Sequence, residues 1–205
     1  MLPKLQAQFE KIEAQRIKLL TRLAKMDRHL WNVSPSPLGQ HQPISLLGRL
    51  QARLWKLPPV VGDWSFCEIV HHLILAEKEM LRQIRQQETA SQEPNLRDWL
   101  GARAVRMAFR YGWRVRVPLA SVVPEATLGY EQTCALWDKV RAELAAYLEE
   151  VTPQLCDQPI IKHPVAGRMN IDQMLDLLIY HHVNHHLRQV ARNERVMGLL
   201  SNSEL

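Results

Sequence analysis

Four histidines lie within the stretch IYHHVNHH, residues 179–186. They form two pairs, His181 with His185 and His182 with His186, and the members of each pair are four positions apart. On an α-helix this spacing stacks two imidazoles one turn apart on the same face, where both can bind one metal ion. The stretch therefore indicates a metal site, a proton relay or a helix that is simply rich in imidazole.

The apolar residues of the last helix indicate which pair faces the interior. When each residue after Ile171 is rotated by about 100°, the apolar side chains average at about 55°, and His182 and His186 lie at about 20° and 60°. His181 and His185 lie at about 280° and 320°, a more solvated direction. We therefore expect His182 and His186 to point into the core, where their ring nitrogens need partners.

A third ligand is expected from another helix, because two histidines alone make a weak site. The only other adjacent histidines are His71 and His72, and the same directional average does not separate them. His72 is favoured because Glu68 and Glu79 lie near it, whereas basic residues on the flank of His71 would oppose a cation. These basic residues are Lys78, Arg82 and Arg85.

Other side chains could assist the site, and each also has an ordinary structural interpretation. Glu68 and Glu79 could orient His72 through its second ring nitrogen, or they could be solvated helix acids. His163 could approach the open position or merely shape a turn, and His185 could shuttle protons or be exposed. An isolated inward histidine is more often a hydrogen-bonded core residue than a ligand, so the metal hypothesis depends on the third histidine.

The elements that would position these histidines are helices. Few glycines and long stretches rich in Ala, Leu, Glu, Gln, Lys and Arg favour helix over strand, so we expect an all-α protein. Four long amphipathic segments predict a four-helix bundle whose interior can hold a metal. These segments are residues 5–30, 65–87, 129–151 and 171–197, joined in part by a proline-rich connection at 35–62, with a short helical patch near 44–56, and by a variable insertion at 88–125.

Composition and charge place the chain among globular proteins. Its 205 residues, 46% hydrophobic and 23% charged, suit one domain at residues 1–205. The N-terminal stretch lacks the apolar core of a signal peptide, and no segment reaches the roughly 18 apolar residues of a membrane span, so we expect a soluble cytoplasmic protein. The cysteines, which show no CxxC spacing and argue against a thiolate zinc site, are Cys67, Cys134 and Cys156.

The net charge of +5 is concentrated in residues 97–116, which hold six arginines and one acid, Asp98. Such a segment could form an extra helix and bind an anionic membrane surface or nucleic acid phosphates, which is the non-enzymatic alternative for this chain. It matches no known DNA-binding motif, so we do not expect a nucleic-acid partner. It could equally be a solvated face, or border the pocket and attract an acidic thiol or substrate. The stripe comprises Arg103, Arg106, Arg110 and Arg114, beside Trp99, Phe109 and Trp113.

Two stretches resemble signatures of the DinB/YfiT-like superfamily of metal-dependent four-helix bundles. WSFCEIVHHL, residues 64–73, is similar to its second-helix signature, and HPVAGRMNIDQMLDLLIYHHVNHHLRQVAR, residues 163–192, is similar to its final-helix signature. Carried over residue by residue, the resemblance implies metal ligation by His72, His182 and His186.

The resemblance also implies an activity. Three neutral imidazoles would leave a divalent ion its full charge and an open position, which suits a metal-dependent hydrolase or a transferase of a low-molecular-weight thiol acting on a small molecule. Zinc or nickel is expected, and iron or manganese also fits the ligand type. A homodimer is expected as well, with Trp31 or Trp55 on faces that could pair.

Overall fold

The computed structural model describes residues 1–35, 64–86, 93–113, 117, 119–124 and 127–199. Within these ranges the protein is a helical bundle, which confirms the all-α prediction. The predicted helical patch at 44–56, Trp55 and Arg114 lie outside the described residues.

The bundle is built from four long helical segments. α1 spans Pro3–Ala24, α2 spans Phe66–Gln86 and α4 spans Tyr130–Glu150. The last segment begins with α6 (Ile171–Gln173), continues as a π-helix (Met174–His181) and ends as α7 (His182–Val196). The smaller elements are α3 (Leu96–Tyr111), α5 (Pro153–Cys156), the 3₁₀ turns Arg28–Leu30 and Ala120–Val122, and an antiparallel hairpin of β1 (Ile161–His163) and β2 (Gly167–Met169).

Local capping explains where the helices begin and end. The N–H of Ser65 donates to Glu68 Oε2 at 2.7 Å and the N–H of Glu68 donates to Ser65 Oγ at 3.2 Å, so a capping box starts α2. The predicted first helix was too long, because α1 ends at Ala24 and Asp27 then starts a separate 3₁₀ turn by accepting from the His29 N–H. Short-range hydrogen bonds therefore override the apolar spacing that continues to residue 30.

The core lies between the apolar stripes of the long helices. The apolar residues of α1 and α4 are three, four or seven positions apart, so each helix places one apolar side chain in the interior every one or two turns. Trp31 is also buried, and its indole N–H donates to the Leu128 carbonyl at 2.8 Å. The suggestion that Trp31 lies on a dimer face is therefore wrong. The core residues of α1 and α4 include Leu5, Ile12, Leu19, Leu23, Trp137, Val140, Leu144 and Leu148.

A buried ion-pair network crosses α1, α2 and α4. Arg141 contacts Glu77 at 2.7 Å and Glu13 at 3.2 Å, and both Arg141 and Glu77 are almost fully buried. Arg16 extends the network by pairing with Glu13 and Asp138. Breaking one partner of such a pair leaves an uncompensated buried charge, so the network restricts how these three helices can pack.

α3 is held against the hairpin at its N-terminal end. Asn95 caps the helix, and Asp98 completes a capping box while pairing with Arg168 on β2 at 3.0 Å. Gly101 allows close packing here, because a Cβ at this position would lie 2.0 Å from the Val165 carbonyl oxygen. Small size at residue 101 is therefore a packing requirement.

The C-terminal end of α3 is held by α7. The helix stops at Gly112, which adopts a left-handed φ of 66°, before the end of the arginine-rich segment at residue 116. The Arg188 guanidinium on α7 donates to the Phe109 and Arg110 carbonyls in the last turn of α3, where carbonyl groups lack the regular i+4 helical partner. The described part of the arginine-rich segment, up to residue 113, is thus a helix docked beside α7.

Candidate metal centre

Three imidazoles converge where α2 faces the start of α7. The Nε2 atom of His182 lies 3.2 Å from Nε2 of His72 and 3.1 Å from Nε2 of His186. One ligand atom from each ring falls within 4.8 Å of the other two. The structure therefore brings together all three histidines that the sequence singled out.

The spacing of these nitrogens suits a common metal ion. A tetrahedral ion bound at 2.0–2.1 Å separates its nitrogen ligands by about 3.3 Å. The two measured separations, 3.1 and 3.2 Å, lie close to this value. Two of the three ligand pairs therefore already have a metal-binding separation, and all three ligand atoms lie within 4.8 Å of one another.

The outer nitrogens of two rings decide which atoms face the cluster. His72 Nδ1 contacts the Val122 carbonyl at 2.7 Å, and His186 Nδ1 contacts Gln189 Oε1 at 2.8 Å. Both partners are acceptors, so each Nδ1 carries the proton and each Nε2 presents a lone pair. His182 carries at most one proton on Nε2, so it cannot form a full hydrogen bond to both facing lone pairs. A metal cation could bind one nitrogen of each of the three rings.

Burial keeps the three rings neutral, which is the state that binds metal. Burial lowers the pKa of His72 to about 4, although its hydrogen bond to Val122 opposes the shift. Burial, followed by the neighbouring imidazoles, lowers the pKa of His182 and of His186 well below the ordinary value of 6.5. At neutral pH no proton competes with a metal ion for these nitrogens.

Two aromatic side chains cover the cluster. The Trp64 ring lies 4.7 Å from the His72 ring, and its backbone carbonyl accepts from Asn193 Nδ2 on α7 at 2.8 Å. Phe109 of α3 stacks on His182 at 5.0 Å with an interplanar angle of 12°. The predicted insertion therefore contributes directly to the wall of the site.

A π-helix leads into the two histidines of α7. Residues 174–181 form wider turns than an α-helix, and π-helical turns often occur at functional sites. Gln15 of α1 donates to the Tyr180 carbonyl at 3.0 Å and so supports this segment from the side. Apolar residues of the π-helix are buried on most of its sides. They are Met174, Leu175, Leu177, Leu178 and Ile179.

The two glutamates considered as partners of His72 are occupied elsewhere. Glu68 belongs to the capping box with Ser65, and Glu79 pairs with Arg82. The orienting role that sequence reasoning offered to these acids belongs instead to the Val122 carbonyl.

The other histidines near the cluster lie in different surroundings from those expected. His71 is buried, and burial together with the nearby charge of Lys78 lowers its pKa; no described residue is a hydrogen-bond partner of its Nδ1. His181 contacts Arg106 at 3.3 Å and Asp176 at 3.6 Å, away from the cluster. His185 is half-buried, so the expectation of a solvated ring is wrong.

His185 lies against the wall of the site. Its ring is 5.3 Å from Phe109 and 5.1 Å from His186, and its buried Nδ1 has no hydrogen-bond partner among the residues that the structure describes. Burial, with smaller effects from Arg192 and Arg188, lowers its pKa to about 4. His185 is therefore a neutral imidazole beside the cluster, and its Nδ1 can form a further hydrogen bond.

His163 is fixed by the hairpin turn. Its Nδ1 accepts from the backbone N–H groups of Val165 at 3.1 Å and Ala166 at 2.9 Å, so the ring proton sits on Nε2. Burial lowers its pKa to about 4, and the ring is near enough to affect the pKa of His182. His163 thus both shapes the turn and lies close to the cluster.

Three residues of the site, Val122, Gln189 and Phe109, were not predicted from the sequence. Gln189 was available from the HxxxH stretch, because residue i+3 from His186 lies on the same helical face. Val122 carried no signal, since its contribution is a backbone carbonyl that reaches His72 across fifty positions. Phe109 stood within an arginine stripe that gave no indication of its inward direction.

Comparisons with known proteins agree with this architecture. The model of the DinB superfamily matches residues 11–190 of the chain. No curated protein and no solved structure matches it. Within the described part of the chain, no helix has both the length and the apolar character needed to cross a membrane.

Proposed function

This chain belongs to the DinB superfamily, and on that premise we propose that it is a metal-dependent enzyme in which His72, His182 and His186 bind one divalent ion. The observation that carries the proposal is the convergence of three Nε2 atoms, of which at least two present lone pairs to the same space. Zinc or nickel fits three imidazole nitrogens, and iron or manganese is compatible with them.

The donor set favours chemistry over a purely structural role. Structural zinc sites are usually closed by four protein ligands, whereas three ligands leave a position for water or substrate. Among the described residues, no acid or cysteine joins the three histidines. A divalent ion held by three neutral rings would lower the pKa of a bound water or thiol and polarise a carbonyl group.

The surrounding residues would orient and select the substrate. Val122 and Gln189 hold two of the rings in their binding tautomers. Trp64 and Phe109 exclude water from two sides of the cluster. His185 offers its unpaired Nδ1 as a hydrogen-bonding group for a molecule that enters the site.

Positive charge beside the cluster supports an anionic substrate. Arg188 and Arg192 are close enough to His185 to lower its pKa, and Arg110 stands at the end of α3 that Arg188 holds. A small molecule with a carboxylate, including an acidic low-molecular-weight thiol, would be attracted to this side. We therefore propose hydrolysis or thiol transfer as the reaction and retain the homodimer as a prediction, without Trp31 in its interface.

Activity after metal loading tests this proposal. Metal-free protein is reconstituted with zinc, nickel, manganese or ferrous iron and assayed for hydrolysis of chromogenic esters and for transfer of glutathione or cysteine to a fluorogenic electrophile. We expect turnover that depends on one of the metals and is lost in His182→Ala. The control His29→Ala alters an exposed ring that is not part of the cluster and is expected to retain activity.

Two outcomes would contradict the proposal. Turnover that survives in His182→Ala would place the chemistry elsewhere. A protein that binds metal but shows no turnover with any substrate class would reduce the function to metal binding.

A further inference from the structure

α3 is apolar on two opposite sides. Its inner side packs on the bundle through Val105, Ala108 and Phe109. A helix in a globular protein normally exposes polar residues on the other side. Here that outer side carries five large hydrophobic residues, which are Leu96 (72% exposed), Trp99 (58%), Leu100 (53%), Met107 (41%) and Tyr111 (61%).

These residues form one continuous stripe. Counted at about 100° per residue from Leu96, the five apolar side chains fall within an arc of about 120°, and Val105 and Phe109 lie on the opposite side of the helix. The stripe runs the length of a sixteen-residue helix, about 24 Å. Exposed apolar surface of this extent marks a binding face.

The charge of the same face is uniformly positive. Arg103 and Arg110 lie inside the arc, and Arg97 lies about 40° beyond one edge of it. Among the described residues, no acid forms an ion pair with any of these three, whereas Arg106 is paired with Asp176. The acid of the helix, Asp98, is buried and bound to Arg168. The outer side thus offers cations and apolar groups without a compensating anion.

We infer that the outer side of α3, defined by Leu96, Trp99, Leu100, Arg103, Met107, Arg110 and Tyr111, binds the surface of an anionic lipid bilayer. Helices that lie in a membrane interface combine arginine or lysine with Trp, Leu and similar side chains, which insert between the headgroups. Trp99 and Tyr111 are the residue types that favour this interface.

The alternatives fit this face less well. A second copy of the chain would bring arginines against arginines, and like charges oppose such a contact. Nucleic acid phosphates would pair with the arginines but would leave the apolar stripe facing a highly charged polymer. A bilayer satisfies both features, because its phosphates meet the arginines and its acyl boundary receives the apolar side chains.

This surface is coupled by position to the candidate metal centre. Phe109, on the inner side of α3, stacks on His182, and Arg188 holds the end of the helix that carries it. Docking α3 on a bilayer would therefore place the metal centre one helix away from the lipid headgroups.

Vesicle flotation of the full chain tests the inference. We expect the protein to float with phosphatidylcholine vesicles that contain phosphatidylglycerol and to remain in solution with phosphatidylcholine alone. Arg103→Glu with Arg110→Glu should weaken binding roughly 30-fold or more, because each basic residue near an anionic surface contributes about a factor of five. Trp99→Ala with Leu100→Ala should also release the protein, with the largest effect at high salt, where electrostatic attraction is screened.

Matched substitutions on α1 serve as controls. Ile17 is 55% exposed and Lys18 is exposed beside it, so Ile17→Ala and Lys18→Glu make the same kinds of change on another helix. These variants should float like the unaltered protein. Every substituted side chain is exposed, so thermal unfolding should confirm that all variants fold.

Three results would overturn the inference. The first is absence of flotation with anionic vesicles, or equal loss of flotation in the α1 controls. The second is a dimer that Trp99→Ala with Leu100→Ala dissociates while vesicles are not bound. The third is salt-sensitive retention on DNA or RNA without vesicle binding, which would assign the face to nucleic acid.

Discussion

His72 donates from Nδ1 to the Val122 carbonyl at 2.7 Å, and this contact determines that its other nitrogen faces His182. Because a carbonyl can only accept, the tautomer of His72 follows from the fold itself. The ring is therefore prepared for a metal ion before one arrives.

The first prediction concerns metal content. Elemental analysis of the purified chain should find about one divalent ion per chain and little in His72→Ala, His182→Ala or His186→Ala, because two imidazoles bind weakly. His181→Ala should retain its metal, since this ring contacts Arg106 and Asp176. Equal metal content in all four variants would remove the assignment, and His182→Asn provides a smaller change if the alanine variants do not fold.

The second prediction concerns the support of His186. Gln189→Leu removes the acceptor that His186 Nδ1 uses at 2.8 Å, and loss of such a partner typically weakens metal affinity about 10- to 100-fold. Gln189→Glu keeps an acceptor at the same place and should bind at least as tightly as the unaltered protein. Competition with a chromophoric chelator measures both. The idea fails if leucine and glutamate have the same effect.

The third prediction concerns pH. Burial lowers the pKa of His163 to about 4, while the unfolded chain takes up this proton near pH 6.5. The unfolded state therefore holds more protons between these values, and the free energy of unfolding falls as pH falls from about 6.5 to 4. His163 should contribute about 1–3 kcal/mol to this loss, since one pKa unit corresponds to 1.36 kcal/mol and the ring is only partly exposed.

His163→Asn isolates this contribution. An asparagine oxygen can still accept from the backbone N–H groups of Val165 and Ala166 but does not titrate in this range. Urea unfolding of the metal-free protein at pH 7 and pH 4.5 should therefore show a smaller pH difference for the variant. Identical pH differences in the two proteins would show that the His163 ring is not buried in the neutral form.

The fourth prediction concerns the contact between α3 and the hairpin. Gly101→Ala would place a Cβ 2.0 Å from the Val165 carbonyl oxygen, and such overpacking typically costs about 1–3 kcal/mol despite the better helix propensity of alanine. The matched change Gly129→Ala meets only Gln132 Oε1 at 3.5 Å and should cost less than about 1 kcal/mol. Urea unfolding compares them, and an equally small loss for Gly101→Ala would show that the hairpin yields.

Helical periodicity was sufficient to predict the long helices and the inward direction of His182 and His186, because both depend on residues within a few turns. It wrongly placed His185 in solvent, because periodicity within α7 cannot show that α3 covers the side that carries His185. The docking of α3 through Phe109 and Arg188 is a long-range contact. Apolar spacing likewise extended α1 beyond Ala24, where a local Asp27 cap ends the pattern.

Contacts that backbone atoms make with the site could not be predicted from the sequence. The carbonyl of Val122 is common to every residue type, so its role depends only on where residues 119–124 pass over α2. The arginine-rich segment shows a related difficulty, because it could have been a binding surface or a border of the pocket. The sequence alone did not indicate that Phe109 faces inward while Trp99 faces outward.

The π-helix at residues 174–181 makes the centre sensitive to how this segment winds. Such a segment fits more residues into each turn than an α-helix does, so if the same residues wound as an ordinary α-helix, everything beyond them would rotate relative to α2. The imidazoles of α7 would then swing away from His72, although every donor atom would still be present in the chain. A substitution within residues 174–181 that favours the narrower winding would then silence the cluster as completely as replacing one of its histidines.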